Sequence, residues 1–327
     1  MRWMKLVLVL PVLVSPQLRA HSQENAAGRV TQEQSGGDVA APVLSEALAA
    51  QVMLDRAGFS PGEIDGEPGS NLKRALVAFQ ASHSLPPTGT MDQATWQRLQ
   101  QEAGSQPPLT RYTITSDDAA GPFTPDIPAD LVEQSKVAAL DYRSLLESLG
   151  ERFHTNPALL KTLNPSATFT KAGESLTVPA VSSLKSISPP SGGVTVVVTK
   201  ATSSLTLEDA DHHVLFHAPV TTGSQHDPLP LGQWKVNGVQ QDPQFHYNPA
   251  LFWDANPAHS QARLPPGPNN PVGTVWIDLS KEHYGIHGTP EPSKIGHVES
   301  HGCVRLTNWD AEYVATIVKP GTRVIFK

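Results

Sequence analysis

Residues 284–306 read YGIHGTPEPSKIGHVESHGCVRL and contain Cys303, the only cysteine of the 327-residue chain. Two of the three histidines of the segment, His287 and His301, are candidate partners of the thiol. A thiol is a good nucleophile at neutral pH when its pKa is lowered or when a neighbouring base takes its proton. Gly302 permits a tight turn in which the amide of Cys303 can face a developing oxyanion. The stretch therefore predicts an acyl-transfer site built on Cys303.

The same residue types permit other interpretations. A lone cysteine is commonly a small buried apolar residue, and a histidine is commonly a polar surface residue. His287, His301 and Cys303 are also a plausible zinc ligand set with an open fourth position. In a further alternative, the C-terminal domain is inactive and the chain only binds its target through its N-terminal modules.

The complete pattern favours nucleophilic chemistry over these alternatives. His287-Gly288-Thr289, followed after a loop by Ser300-His301-Gly302-Cys303-Val304-Arg305-Leu306, closely resembles the catalytic signature of the L,D-transpeptidase family. The resemblance extends over about residues 194–327 and includes the turn PLPLG at residues 228–232. It implies a multidomain α+β protein with a mainly β catalytic domain, a β-sandwich with one helix.

The resemblance also assigns roles to individual residues. Cys303 is the expected nucleophile and His287 the expected general base and acid, and the carbonyl of Gly288 would accept from the second ring nitrogen of His287 and fix its tautomer. Arg305 could hold a substrate carboxylate or pair with a neighbouring acid. The residues expected to shape the nucleophile turn or to contact substrate are Ser300, His301, Gly302 and Arg305. Neither a metal nor a cofactor is expected.

The reaction implied by the resemblance is a two-step acyl transfer on peptidoglycan. Cys303 would attack the carbonyl of the third residue of a stem tetrapeptide, D-alanine would leave, and an amine would resolve the thioester to give a 3-3 cross-link. Water as the acceptor would make the enzyme an L,D-carboxypeptidase, and a free D-amino acid or a wall-linked protein are further possible acceptors. The expected partners are peptidoglycan and carbapenem-type inhibitors.

Strand and helix signals surround the signature. Apolar runs predict six strands and one C-terminal helix: residues 194–200, 205–208, 213–217, 231–236, 274–279 and 323–326 as strands, and 308–318 as the helix. Between them, residues 241–271 are rich in Pro and Asn and carry several aromatic residues. A structureless stretch of this length is either a lid or binding loop, or a plain surface insertion.

A helical unit is predicted at residues 44–103. Apolar periodicity gives helices at 44–57, 72–82 and 92–101, with Ser70 or Asn71 as the cap of the second. Residues 57–99 resemble the small peptidoglycan-binding domain attached to many wall hydrolases, through core and turn residues such as Ile64, Phe79 and Trp96. These positions identify a fold better than they identify a glycan-contacting surface.

A second module is predicted at residues 110–181. Its strand, helix and strand signals resemble a LysM glycan-binding module, in which two short helices pack on a two-stranded sheet. The segment departs from that family through a long insertion at residues 115–141. Residues 182–193 read SSLKSISPPSGG and predict a linker to the catalytic domain. We therefore expect a chain that begins near residue 190 to process soluble substrate without its N-terminal modules.

The N-terminus indicates export. Residues 1–20 have the outline of a signal peptide, and residues 21–43 lack periodicity and predict a disordered tether. Removal of residues 1–20 takes away Arg2, Lys5 and Arg19 and no acidic residue, so the formal net charge changes from −7 to −10. An acidic chain disfavours nucleic acid as a partner. The sequence predicts a periplasmic or wall-associated protein with no stable membrane anchor after cleavage.

Overall fold

The computed structural model describes residues 44–181 and 192–327. The predicted signal peptide, the tether and residues 182–191 of the predicted linker lie outside the described residues. The described residues belong to one compact unit that spans Pro42–Lys327. None of the helices in these two ranges combines the length and the apolar character needed to cross a bilayer.

The N-terminal domain is the predicted three-helix unit. Its helices are α1 (Glu46–Arg56), α2 (Ser70–Ser82) and α3 (Gln93–Ala103). Ser45 and Asp92 cap α1 and α3, because their side chains accept from backbone amides of the first turn. The predicted cap of α2 is wrong: Gly69 occupies that position, and Asn71 instead donates to the carbonyl of Ile295 at 2.8 Å. The buried core of the domain includes Leu54, Phe59, Leu76, Phe79 and Leu99.

The second module packs two of its four helices against a two-stranded sheet. Strand β1 (Leu109–Thr113) pairs antiparallel with β2 (Ser175–Pro179). The insertion between them carries α4 (Ser116–Ala120) and α5 (Leu131–Gln134), and it is followed by α6 (Leu145–Arg152) and α7 (Pro157–Leu163). Side chains of α6, α7 and β2 form one buried cluster, which includes Leu149, Leu160, Leu176 and Val178.

The C-terminal domain contains ten strands and α8 (Asn308–Ile317). The strands are β3 (Thr195–Thr199), β4 (Ser204–Glu208), β5 (Val214–Pro219), β6 (Gly232–Gln241), β7 (Phe245–Tyr247), β8 (Ala262–Leu264), β9 (Val275–Leu279), β10 (Gly285–His287), β11 (Val304–Arg305) and β12 (Arg323–Phe326). Eight of them form one sheet in the order β11-β10-β9-β6-β12-β3-β4-β5, and β7 pairs with β8 in a separate two-stranded sheet.

The eight-stranded sheet curls around α8. Strands β9 and β5 are five strand spacings apart in the sheet order, which is about 24 Å in a flat sheet. Helix α8 nevertheless contacts β9 and β10, while the ring centroid of its Tyr313 lies 4.5 Å from that of Phe216 on β5. A helix with its side chains is only about 10–12 Å wide, so the sheet must bend over it. The predicted α+β class and the single-helix, mainly β catalytic domain are confirmed.

The six predicted strands and the C-terminal helix are all present. Strand β6 continues five residues beyond its predicted end, to Gln241. Among the strands that sequence patterns missed, β10 and β11 have only three and two residues, too few for periodicity to be visible. Residues 241–271 are not structureless as predicted, because β7 and β8 form a hairpin within them.

The three parts of the chain meet at a buried polar junction. The backbone amide of Ser60 donates to the carbonyl of His217 at 2.8 Å, and the Ser60 hydroxyl donates to Asp310 on α8 at 3.0 Å. His154 of the second module lies 2.8 Å from Asp55 of α1 and stacks on Trp309 of α8 at 5.1 Å. Buried groups of each part therefore use partners in the others, in addition to the chain connections between the parts.

Candidate active site

Neighbouring parallel strands carry the thiol and the predicted base. Strand β10 pairs with β11 so that Ile286 lies opposite Val304 and His287 opposite Arg305. Ile286 and Val304 are fully buried in the core of the sheet. Because side chains alternate along a strand, His287 and Arg305 point to the opposite face, and Cys303, directly before β11, shares that face. All three line one pocket.

His287 is a buried imidazole in a defined orientation. Its Nδ1 donates to the carbonyl of Gly288 at 2.7 Å, and its ring stacks on Trp276 with centroids 5.4 Å apart. Since a carbonyl oxygen only accepts, the proton of the neutral ring is on Nδ1, and Nε2 is left as a base. Burial, reinforced by the charge of Arg305, lowers the pKa of His287 to about 3. The side chain is therefore uncharged at neutral pH.

The Cys303 thiol lies inside the pocket. Its Sγ donates to the carbonyl of His283 at 3.8 Å. Burial raises the pKa of the thiol, although a hydrogen bond from the Gly285 backbone and the charge of Arg305 act in the opposite direction. A resting thiol and a resting neutral imidazole therefore face the same pocket, and nucleophilic attack requires proton transfer from one to the other.

Ser300 and Gly302 form the turn before Cys303. The Ser300 hydroxyl donates to the carbonyl of Cys303 at 2.7 Å and accepts from the amide of Gly302 at 3.2 Å. Gly302 has a φ of +107°, and a Cβ at this position would lie 2.9 Å from Cε1 of Tyr284. Ser300 is buried and its hydroxyl is used within the turn, so its position favours shaping the turn over binding substrate.

His301 contacts residues of the stretch 241–271. Its Nε2 donates to Asp254 at 2.8 Å, and its ring packs edge-on against Phe252 at 5.1 Å. The zinc alternative needs His287, His301 and Cys303 to converge. Within residues 44–181 and 192–327, the side chains that approach at metal-ligand distances form a different group: Asp209, Asp211 and His213.

Arg305 presents its guanidinium to the pocket. Its backbone pairs with Thr221, whose amide donates to the Arg305 carbonyl at 3.0 Å. Its Nε is buried without a hydrogen-bond partner, and no ion pair among the described residues includes Arg305. Burial lowers the pKa of the guanidinium. Two roles were expected for Arg305. An ion pair with a neighbouring acid is not observed among the described residues, and the guanidinium lines the pocket, where it could meet a substrate carboxylate.

The pocket has a volume of about 990 Å³, which suits a peptide-sized ligand. One wall consists of the β10–β11 face with His287, Cys303 and Arg305. The facing wall belongs to the stretch 241–271, including Phe245, Tyr247, Phe252, Asp254 and His259. This stretch is therefore a pocket wall and not a plain surface insertion.

Asn308 is a supporting residue that sequence reasoning missed. Its Oδ1 accepts from the backbone amides of Thr289 and Thr274, at 3.0 and 3.3 Å. The same oxygen lies so close to Gly288 and Gly273 that a Cβ on either glycine would collide with it. Asn308 thus fixes the backbone that carries the carbonyl partner of His287. The available sequence signal was a polar residue at the start of the helix after the signature.

Known proteins resemble this chain in both of its recognised regions. A family model of the L,D-transpeptidase catalytic domain, YkuD, matches residues 193–326, and one of the peptidoglycan-binding domain, PG_binding_1, matches residues 45–99. The Escherichia coli protein named L,D-transpeptidase YbiS is 45% identical over 65 residues, 20% of this chain and 21% of that protein. L,D-transpeptidase 3 from Mycobacterium tuberculosis aligns at 18% identity with a TM-score of 0.35, and the match covers 41% of this chain and 61% of that chain.

The match to a Bacillus relative is longer. The Bacillus licheniformis protein named L,D-transpeptidase YkuD is 30% identical over 181 residues, which are 55% of this chain and 91% of that protein. The alignment covers nearly the whole of that relative, and the YkuD family model matches the C-terminal region. This chain therefore belongs to the L,D-transpeptidase family.

Proposed function

We propose that this protein is a cysteine-dependent L,D-transpeptidase that acts on peptidoglycan stem tetrapeptides. The observation that carries the proposal is the position of Cys303 and His287 on one face of adjacent parallel strands, at a common pocket. The hydrogen bond from His287 Nδ1 to Gly288 leaves Nε2 free to take the thiol proton. Family membership supports the same reaction class.

In the acylation step, Nε2 of His287 takes the proton of Cys303 as sulfur attacks the carbonyl of the third stem residue. The carbon–sulfur bond forms and a tetrahedral oxyanion develops, for which the Cys303 amide is the candidate donor. The bond to D-alanine then breaks, and its nitrogen receives the proton from His287. A thioester on Cys303 remains.

In the deacylation step, an amine of a second stem attacks the thioester. His287 takes a proton from the attacking nitrogen, the new amide bond forms, and the carbon–sulfur bond breaks. The sulfur leaves as a thiolate and recovers its proton from His287, so the site returns to its resting state. Water in place of the amine gives L,D-carboxypeptidase activity by the same steps.

The pocket and the N-terminal domain support peptidoglycan as the partner. The guanidinium of Arg305, which forms no ion pair among the described residues, suits a substrate carboxylate. The domain at residues 45–99 matches a peptidoglycan-binding family and would hold the enzyme at its insoluble substrate, which raises the local concentration of stems. The proposal also includes carbapenem-type inhibitors, whose acyl carbon Cys303 would attack in place of the stem carbonyl.

The proposed substrate lies outside the inner membrane. We therefore propose that the chain is exported through the signal-peptide-like segment at residues 1–20 and acts in the periplasm or the cell wall. Fractionation of cells that express the chain, followed by N-terminal sequencing, tests this location. Full-length protein retained in the cytoplasm would contradict it.

Product analysis tests the proposed reaction. Disaccharide-tetrapeptide muropeptides are incubated with the chain and with its Cys303→Ala variant, and the products are identified by mass spectrometry. Cross-linked dimers with loss of one D-alanine support transpeptidation, and disaccharide-tripeptides alone assign water as the acceptor. Unchanged muropeptides with the wild-type chain, or equal products with the variant, would contradict the proposal.

A further inference from the structure

The wall that faces Cys303 is a hairpin with little support of its own. This hairpin, residues 245–264, consists of β7, β8 and their connection, and its two strands have three residues each. Within the described chain, β7 and β8 pair only with each other and not with the eight-stranded sheet. An isolated two-stranded ribbon is at best marginally stable. Its position over the pocket must be fixed by another element.

The supporting element comes from the second module. Residues 127–140, here termed the brace, belong to the insertion that separates β1 from the helices of that module. Leu140 of the brace is fully buried against Tyr247 and Leu264 of the hairpin. Further apolar side chains of the brace pack on the same cluster: Ile127, Leu131, Val132 and Val137.

Backbone contacts fix the brace beside the end of the hairpin. The amide of Leu140 donates to the carbonyl of Pro266 at 3.1 Å, and the carbonyl of Leu140 accepts from the amide of Asn269 at 2.9 Å. A Cβ on Gly267 would collide with that same carbonyl. The chain directly after β8 is thus held against the brace.

A chain of polar side chains runs from the brace into the pocket wall. One carboxylate oxygen of Asp130 accepts from the amides of Val132 and Glu133, which caps α5, and the other lies 2.8 Å from Nε2 of His259. Because a carboxylate only accepts, Nε2 of His259 donates to Asp130, and Nδ1 of the same ring lies 3.0 Å from the Tyr247 hydroxyl. His259 and Tyr247 both line the catalytic pocket.

We propose that Asp130 is a positioning residue for catalysis, which holds the substrate-facing wall through His259 and Tyr247. The proposal rests on the proposed function of the pocket. Asp130 orients the imidazole, the imidazole orients the Tyr247 hydroxyl, and the brace fixes the backbone on which both hairpin residues lie. The insertion in the second module is then part of the active site, and Leu131 of the brace also lines the pocket.

Isosteric variants of the full chain test the proposal. Asp130→Asn keeps the helix cap, because Asn is also a preferred N-cap residue, but it removes the charge that orients His259. We expect KM for a disaccharide-tetrapeptide to rise by roughly 2- to 5-fold, because the contact between Asp130 and His259 is partly exposed, with kcat within about 2-fold. The matched control is Asp126→Asn, an exposed residue without a side-chain hydrogen bond or ion pair in the described structure, which should leave KM unchanged.

A double variant tests the route through His259. If Asp130 acts through the imidazole, Asp130→Asn adds nothing to KM in a His259→Gln background. Fully multiplicative effects would overturn the proposed route. A lower melting temperature of Asp130→Asn with unchanged KM would reduce Asp130 to a structural residue and overturn the proposal.

An alkylation assay without muropeptides tests the positioning role of Asp130 independently of the proposed enzymatic function. Cys303 is the only thiol, so its alkylation by N-pyrenylmaleimide and by iodoacetamide compares access for a bulky and a small reagent. Asp130→Asn should raise the ratio of the two rates by roughly 2- to 5-fold. A wild-type chain inactive on muropeptides would defeat the proposed function alone, whereas an unchanged alkylation ratio would overturn the positioning role.

Discussion

The neutral state of His287 defines the chemistry available at the residue scale. Burial lowers its pKa to about 3 and raises the pKa of the Cys303 thiol. A preformed thiolate–imidazolium pair is therefore disfavoured. In the proposed mechanism, the proton moves as sulfur attacks, and Nε2 of His287 serves as both base and acid in each half-reaction.

Replacement of His287 by alanine should lower kcat by about 10²- to 10⁴-fold, the usual contribution of a general acid–base group. The fold should persist, since the core neighbours Ile286 and Val304 are unchanged. Steady-state kinetics on muropeptides and thermal melting measure the two effects. The matched control is His297→Ala, an exposed histidine between the two motifs, which should retain wild-type kcat. Equal rates for both variants would remove His287 from its role.

The sequence predicted candidate reactive residues but not the residues that support them. His287, Cys303 and Arg305 lie within one contiguous signature, so their residue types and spacing were visible. Asn308 and Trp276 act through contacts that the fold creates: one bonds the backbone beside His287, and the other stacks on its ring. Nothing in their own sequence neighbourhoods specifies those partners.

At the scale of elements, the nucleophile turn depends on a glycine. Gly302→Ala would place a Cβ at 2.9 Å from the Tyr284 ring in a backbone conformation with φ of +107°. We expect a loss of about 1–3 kcal/mol in the free energy of unfolding and a strong fall in thiol acylation, because the turn must shift. Denaturant unfolding and acylation kinetics measure both.

A second glycine serves as the control for that prediction. Gly238 on β6 has no positive φ and open space where a Cβ would lie, so Gly238→Ala should have little effect on stability or acylation. A Gly302→Ala variant that behaves like Gly238→Ala would show that the turn tolerates a side chain, contrary to the geometry.

The pocket wall shows where element prediction from sequence reaches its limit. In β3, β4, β9 and β12, apolar residues alternate with polar ones or follow one another over four or five residues. The sequence pattern therefore predicted these strands. The hairpin strands β7 and β8 are three residues each and are stabilised by the brace, more than 100 residues earlier in the chain. Support from a distant segment leaves no local periodicity to detect.

At the scale of the whole molecule, the polar junction couples the modules. A chain that begins at residue 192 lacks the Ser60 hydroxyl that Asp310 accepts from, and the His154 ring that stacks on Trp309. Loss of a partner by a buried polar group costs about 1–3 kcal/mol. We therefore expect the truncated chain to unfold at lower denaturant and to turn over soluble muropeptides more slowly than the full chain. Equal stability and equal turnover would support independent modules.

The junction also gives a pH-dependent stability. Burial lowers the pKa of His217, which contacts the N-terminal domain, to about 4, whereas an unfolded histidine titrates near 6.5. The unfolded state therefore binds more protons between these values, so the contribution of His217 is fully present above about pH 6.5 and is lost as pH falls toward 4.

His217→Phe tests this dependence. The substitution keeps an aromatic ring next to Phe59, on which His217 stacks at 6.5 Å, and it removes the titrating group. Urea unfolding of both proteins from pH 7.5 to 4 should show the variant gaining stability relative to the wild type only below about pH 6.5. A constant difference over the whole range would contradict the buried, neutral state of His217.

Covalent acylation of Cys303 is the most direct test of the central claim. The chain is incubated with a carbapenem and analysed by intact-protein mass spectrometry, with peptide mapping of any adduct. The predicted result is one adduct per wild-type chain, located on Cys303, and no adduct on Cys303→Ala. An adduct that persists in the alanine variant, or a wild-type chain that processes muropeptides but is never acylated, would contradict the assignment of Cys303 as the nucleophile.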